Sequence, residues 1–234
     1  MSTNKATVAI FTLAGLATAQ GFMDVFRDEL SRQLHSRGLA VSASASLYPY
    51  GDWSRRAAYQ LLEIARDLTD IHEKVWRSVG AGAAREQIMQ AAQAGHTVLL
   101  IGHSGGGVTA VQIARQLISA GHKAPLVVQI GSPKCPVPVV WKDRVLYLSL
   151  VGEDGRRSDP VTRFGRWGGW VSGRSRVALW KRNAYAPGAI IGLPLIGSHP
   201  DYFRMQPPYV NEEGRSNMNQ TVGAIMEWLE RRLF

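Results

Sequence analysis

Five short apolar runs, at residues 7–12, 39–44, 97–101, 125–130 and 145–151, punctuate the first two thirds of the chain. They are rich in Val, Ile and Leu, show little polar alternation and are mostly bounded by Gly or Pro, which predicts strands buried on both faces of a parallel sheet. Helical spacing fills the intervals. It runs through Phe22, Val25, Phe26, Leu30 and Leu34, then through Leu61, Leu62, Ile64, Ala65, Leu68 and Ile71, and again through Val108, Val111, Ile113 and Leu117. Alternating strand and helix predicts an α/β fold, a mostly parallel sheet with helices on both faces in a three-layer αβα sandwich.

The stretch 54–95 is longer than one crossover helix needs, and Gly80 and Gly82 are expected to split it in two, the first half overhanging the rim of any site at the strand ends. A closing helix is predicted through Met218, Val222, Ile225, Met226, Leu229 and Leu233, capped by Asn217 or Asn219. Residues 152–208 read as irregular apart from a short strand at 177–180, and a loop-rich segment of that length is usually functional. With 234 residues, 45% of them apolar, and no linker-like tract, residues 1–234 are expected to form one domain with a substantial core.

The third apolar run breaks into Gly102-His103-Ser104-Gly105-Gly106-Gly107 before the next helix begins. A serine hydroxyl becomes a useful nucleophile only when held at a fixed point beside a base, and a sharp strand-to-helix turn of this composition holds it so. Residues two before and two after the serine crowd each other in such a turn, and Gly102 and Gly106 remove that clash. No lysine of a phosphate-binding loop follows, and a dinucleotide fingerprint is absent.

The turn resembles the nucleophile elbow of the α/β hydrolases, and that resemblance implies partners on loops at the carboxyl ends of strands, in the order serine, acid, histidine. Among six histidines, His35, His72 and His96 precede Ser104, His103 sits beside it and points away from its hydroxyl, and His122 falls at the amino end of the sheet. His199 remains. For the acid, Glu153, Asp154 and Asp159 follow the last predicted strand; Asp159 is preferred and Asp154 is the alternative. Gly105 is expected to supply one backbone donor to an oxyanion, and Leu16, or else Ala17, the other.

These pieces resemble the α/β-hydrolase superfamily, and especially compact bacterial lipases and esterases related to class 3 lipases. The resemblance is carried by Gly102-His103-Ser104-Gly105-Gly106, by Asp159-Pro160-Val161 after a strand, and by His199-Pro200-Asp201-Tyr202-Phe203 near the closing helix. It implies Ser104 as nucleophile, His199 as base and Asp159 as orienting acid. The chain departs from the family in the loop after the first strand, where a His-Gly pair is replaced by Leu13-Ala14-Gly15-Leu16-Ala17. The expected chemistry is carboxylic ester hydrolysis through an acyl-enzyme on a small-molecule or lipid ester, with no cofactor and no metal. An acyltransferase or thioesterase with the same triad, or a noncatalytic anionic-lipid-binding protein on the same fold, are the alternatives.

Charge refines the picture. The chain carries a net +9, and between residues 156 and 182 eight Arg or Lys face only Asp159. Aromatic residues interleave with these cations, so Trp167, Trp170, Arg163 and Arg166 are expected to form a substrate or interface surface for an anionic membrane or acidic ligand; nucleic acid is not expected. The sole cysteine, Cys135, excludes an intrachain disulfide. The apolar residues 6–17 imitate a secretory signal, yet they read better as a retained first strand, which favours a cytoplasmic protein.

Overall fold

The computed structural model describes residues 7–16, 18–51, 54, 56–69, 76, 78–152, 155–172 and 178–234. Among them the strands are β1 (Thr7–Leu13), β2 (Ala40–Leu47), β3 (Thr97–His103), β4 (Leu126–Ile130), β5 (Val145–Leu150), β6 (Gly169–Ser172), β7 (Ala178–Lys181) and β8 (Ala189–Leu193). Six of them form one sheet in the order β2-β1-β3-β4-β5-β8. Every neighbouring pair in it is parallel. The remaining pair, β6 and β7, makes a separate antiparallel ribbon.

Side chains two apart on a strand share a face, so an unbroken apolar run feeds two cores at once. Val8 and Ile10 of β1, Leu99 and Ile101 of β3, and Leu146 and Leu148 of β5 face one core. It is completed by Phe26, Leu30 and Leu34 of α1 (Asp24–Ser36) and by Val222, Ile225 and Met226 of α5 (Asn217–Leu233). Ala9, Phe11, Leu100 and Val127 face the other way, against Ala84 and Ile88 of α3 (Val79–Gln93) and Val108, Val111 and Leu117 of α4 (Gly105–Ser119). The three-layer αβα sandwich is therefore present. Since α1 and α3 cover opposite faces while β2 and β3 flank β1, the strand order reverses at β1 and β3, and a crevice opens outside their carboxyl ends.

Several local expectations are corrected. The segment 152–208 carries β6, β7 and β8, and β8 is a strand of the main sheet. Helix α2 (Ala57–Thr69) and α3 are indeed separate, but Gly80 and Gly82 do not divide them: both lie in the first turn of α3, which Ser78 caps by accepting from the Ala81 N–H. The N-cap of α5 is Ser216, not Asn217 or Asn219; its hydroxyl accepts from the Asn219 N–H. Asn217 instead bonds with both the N–H and the carbonyl of Ile196 and donates to the carbonyl of Asp201, tying α5 to the loop before it. Val25 is exposed rather than core. No helix among the described residues is long and apolar enough to cross a membrane.

Candidate active site

At the carboxyl end of β3 the chain turns into α4 through Ser104, which has φ 56° and ψ −129°. It is the one non-glycine residue with positive φ among the described residues. A side chain in that region costs about 1–3 kcal/mol, so the surrounding packing must impose it. The glycines let it do so, although by two routes rather than by mutual contact alone: a Cβ on Gly102 would meet the Gly106 carbonyl oxygen at 2.2 Å, whereas a Cβ on Gly106 would meet the Leu13 carbonyl oxygen of β1 at 1.9 Å. The loop after β1 is pressed onto the turn, and a Cβ on Gly15 would stand 2.6 Å from that of Ser104.

The long segment after β5 returns two further groups to this rim. Asp159 caps a short 3-10 turn at Pro160–Arg163, accepting the Val161 N–H on Oδ1 at 2.9 Å. Its Oδ2 lies 2.9 Å from His199 Nδ1 and accepts the Tyr202 hydroxyl at 2.9 Å. Tyr202 in turn accepts the N–H of Leu150 at the end of β5, which fixes the carboxylate to the sheet. Asp159 is fully buried. Burial alone would raise its pKa, but hydrogen bonding and charge from His199, with donation from Tyr202 and the Val161 N–H, outweigh it and hold the carboxyl below its ordinary value. With an ionised partner, Nδ1 carries the imidazole proton and donates it, leaving Nε2 as the basic nitrogen.

Ser104, Gly105, Leu16 and His199 line one cavity of about 310 Å³, walled further by Leu61, Ile64, Ala65 and Leu68 of α2 and by Pro133, Val161 and Phe164. Thus Ser104, His199 and Asp159 are brought to one rim, and Gly105 and Leu16 stand at the same cavity. Ala17 and Asp154 lie outside the described residues. The lining is mostly apolar, which suits a hydrocarbon group beside the serine. As expected of the first half of 54–95, α2 stands over the rim.

Of the remaining sequence-predicted residues, Trp170 is 65% exposed, Arg166 is exposed beside it, and Arg163 is exposed at the end of its 3-10 turn. Trp167 is not a surface residue. It is buried edge-to-face against Tyr147, with Lys134 and Arg157 over its ring.

Three further residues act on the site without a local signal in the sequence. His103 does turn away from the serine, as expected, but toward the backbone of His199: its Nε2–H donates to the His199 carbonyl at 3.1 Å, and the two rings stack with centroids 4.8 Å apart. Burial, and then the neighbouring imidazole, push its pKa down to about 3, so it stays neutral. Tyr202 anchors Asp159, as described above. Asp67 of α2 is buried and accepts from Tyr50, Ser78, and the Val79 and Gly80 N–H groups at 2.8–3.2 Å. It joins the helix that walls the cavity to the positive N-terminus of α3. Replacing Asp67 by Ala strands these buried donors and is expected to cost about 3 kcal/mol, read as a lowered midpoint in urea unfolding; an unshifted midpoint would show that the network carries no stability.

No family model matches the sequence, and no curated protein matches it. Among solved structures, the chain is similar to the RedJ thioesterase of the prodiginine biosynthetic pathway in Streptomyces coelicolor, with TM-score 0.52 and 13% identity over 96% of this chain and 91% of that one. It is also similar, at TM-score 0.48 and 13% identity, to an α/β serine hydrolase without lid from Xanthomonas campestris, over 98% of this chain and 84% of that one. With its six parallel strands covered on both faces, the chain has the α/β-hydrolase fold.

Proposed function

We propose that this protein is a serine hydrolase of carboxylic esters. The observation that carries the reading is the buried Asp159 carboxylate bonded to His199 Nδ1, with His199 and the strained Ser104 lining one apolar cavity. His199 Nε2 takes the Ser104 proton as Oγ attacks the ester carbonyl, and the resulting imidazolium is stabilised by Asp159, which keeps its own charge. The N–H of Gly105, at the N-terminus of α4, and that of Leu16 serve the oxyanion. Collapse of the tetrahedral species breaks the acyl–oxygen bond; His199 returns the proton to the departing alcohol, and the acyl group stays on Oγ. Water, activated by the same imidazole, then releases the acid and restores the serine.

The direct test uses purified protein, a fluorophosphonate probe and a short-chain p-nitrophenyl ester. One adduct per chain, located at Ser104 by peptide mass spectrometry and accompanied by loss of ester turnover, is expected. An unlabelled protein without turnover would instead favour a noncatalytic binding role for the same fold.

A further inference from the structure

Beyond the catalytic cavity the surface continues into a cleft of about 900 Å³, which shares Ala65, Leu68 and Phe164 with it and is flanked by Trp170 and Trp180. The cleft in turn shares Lys134, Gly165 and Arg166 with a pocket of about 370 Å³ whose lining also holds Arg157 and Arg182. Resting on the reading of Ser104 and His199 as an ester-cleaving pair, we propose that the substrate carries a phosphorylated leaving group, whose phosphate sits among Lys134, Arg157, Arg166 and Arg182 while the acyl chain occupies the cavity at Ser104.

Four cations meet in this pocket, and among the described residues no carboxylate ion-pairs with any of them. Three of them are held by aromatic faces instead. Lys134 and Arg157 lie over the Trp167 ring at 5.6 and 5.2 Å, and Arg166 lies over the Trp180 ring at 5.6 Å. A guanidinium stacked on a ring keeps the N–H donors of its edge for an oxyanion in its own plane. The scaffold is also fixed. Lys134 N–H donates to the Phe164 carbonyl at 2.8 Å and the Arg166 N–H to the Lys134 carbonyl at 3.1 Å, around Gly165, whose positive φ and approach to the Lys134 carbonyl admit no Cβ. Burial, and then the charges of Arg157 and Arg182, hold the Lys134 ammonium below its usual pKa, as expected where like charges converge without a counter-ion.

Such a cluster calls for more negative charge than one carboxylate supplies, and a phosphate monoester brings about −1.5 to −2 at neutral pH. A flat basic face would suit a membrane surface; here Lys134 and Arg157 are half-buried in the wall of a pocket, which suits an inserted group. The apolar cavity takes the hydrocarbon side of the scissile bond, so the alcohol side is the one that leaves through the aromatic cleft. The reaction follows the course above: the bond from the acyl carbon to oxygen, or in a thioester to sulfur, breaks, the phosphorylated alcohol or thiol takes the proton from His199, and water completes the cycle.

Two matched substrate pairs test this. One is 1-octanoylglycerol 3-phosphate against 1-octanoylglycerol; the other is octanoyl-coenzyme A against octanoyl-N-acetylcysteamine, where the phosphates lie far from the acyl bond. In at least one pair the phosphorylated member is expected to have a kcat/KM about tenfold higher or more. That ratio should fall toward one in Lys134→Ala/Arg182→Glu and, in wild-type protein, on raising NaCl from 0.05 to about 1 M, where screening shortens to about 3 Å. Preference in the first pair assigns a glycerophosphate-type group, and in the second a nucleotide-type group. Ratios near one in both pairs, or a ratio unmoved by both the substitutions and salt, overturn the proposal. Calorimetric titration of wild-type protein with pyrophosphate separates this from the catalytic reading: loss of all turnover and of fluorophosphonate labelling sinks the catalytic reading, whereas absence of pyrophosphate binding sinks the cationic pocket.

Discussion

Exchange of Ser104 for alanine is expected to lower ester turnover by about four to six orders of magnitude, while leaving stability close to that of the wild type. The two halves of this expectation rest on different properties of one residue. In the proposed mechanism activity goes because Oγ is the atom that attacks and carries the acyl group; without it, His199 and the backbone donors would have only water to activate. Stability stays because φ 56° and ψ −129° belong to the turn rather than to the hydroxyl, and alanine is strained there as serine is. Glycine is not. Ser104→Gly should therefore be equally inactive yet more stable by about 1 kcal/mol, which for a chain of this size raises Tm by about 3 °C. Steady-state kinetics on a p-nitrophenyl ester, with thermal unfolding of all three proteins, checks both halves. Turnover surviving in Ser104→Ala would displace the serine from the mechanism, and a glycine variant less stable than wild type would show that the turn is not under strain.

What could be read ahead from the sequence follows from the range of the forces involved. The four inner strands β1, β3, β4 and β5 announced themselves because burial on both faces demands unbroken Val, Ile and Leu, and each boundary fell within a few residues of its place; β2, expected at 39–44 as a strand buried on both faces, is instead a partly exposed edge strand that runs on to Leu47. β8 did not announce itself, since it is a short edge strand containing Gly192 whose residues alternate between partly buried and exposed. That Ser104, His199 and Asp159 would meet at one rim was legible through the chain order of the family the turn resembles. Their supports were not: Tyr202 reaches Asp159 across 43 residues, and His103 reaches the backbone of His199 across 96. No local periodicity encodes such contacts. Trp167 and Trp170 look alike in an aromatic-basic stretch, yet one is core and the other surface, because that choice depends on where Tyr147 of β5 presents its ring. Gly80 reads as a helix breaker and is instead a place where α3 approaches Tyr50 and Thr109 too closely for a side chain.

Replacing Asp159 by Asn is expected to cost about 10³- to 10⁴-fold in kcat/KM and about 2 kcal/mol in stability at neutral pH. The carboxylate accepts three hydrogen bonds, from His199, Tyr202 and the Val161 N–H. An amide whose oxygen keeps the Val161 N–H presents its NH₂ to both His199 and the Tyr202 hydroxyl. The imidazole then accepts at Nδ1, its proton moves to Nε2, and the nitrogen that should receive the serine proton is already occupied. The pH dependence follows from the depressed pKa of Asp159, which in the unfolded chain lies near 3.8. A carboxyl with a lower pKa folded than unfolded contributes fully above the unfolded value and loses that contribution as pH falls through the folded one. The stability gap between wild type and Asp159→Asn should thus be widest from pH 5 to 7 and narrow below about pH 4, because only the wild type gives up a charge there. Denaturant midpoints at pH 7, 5 and 3 measure the gap. Tyr202→Phe, which keeps the His199 bond and removes one donor, should fall between the two proteins in stability while retaining most activity. A gap that stayed constant, or grew, on acidification would mean that the buried carboxyl is not ionised in the folded protein. In that case Nδ1 of His199 would face a proton rather than a charge, and the imidazole would lack the partner that makes Nε2 a base.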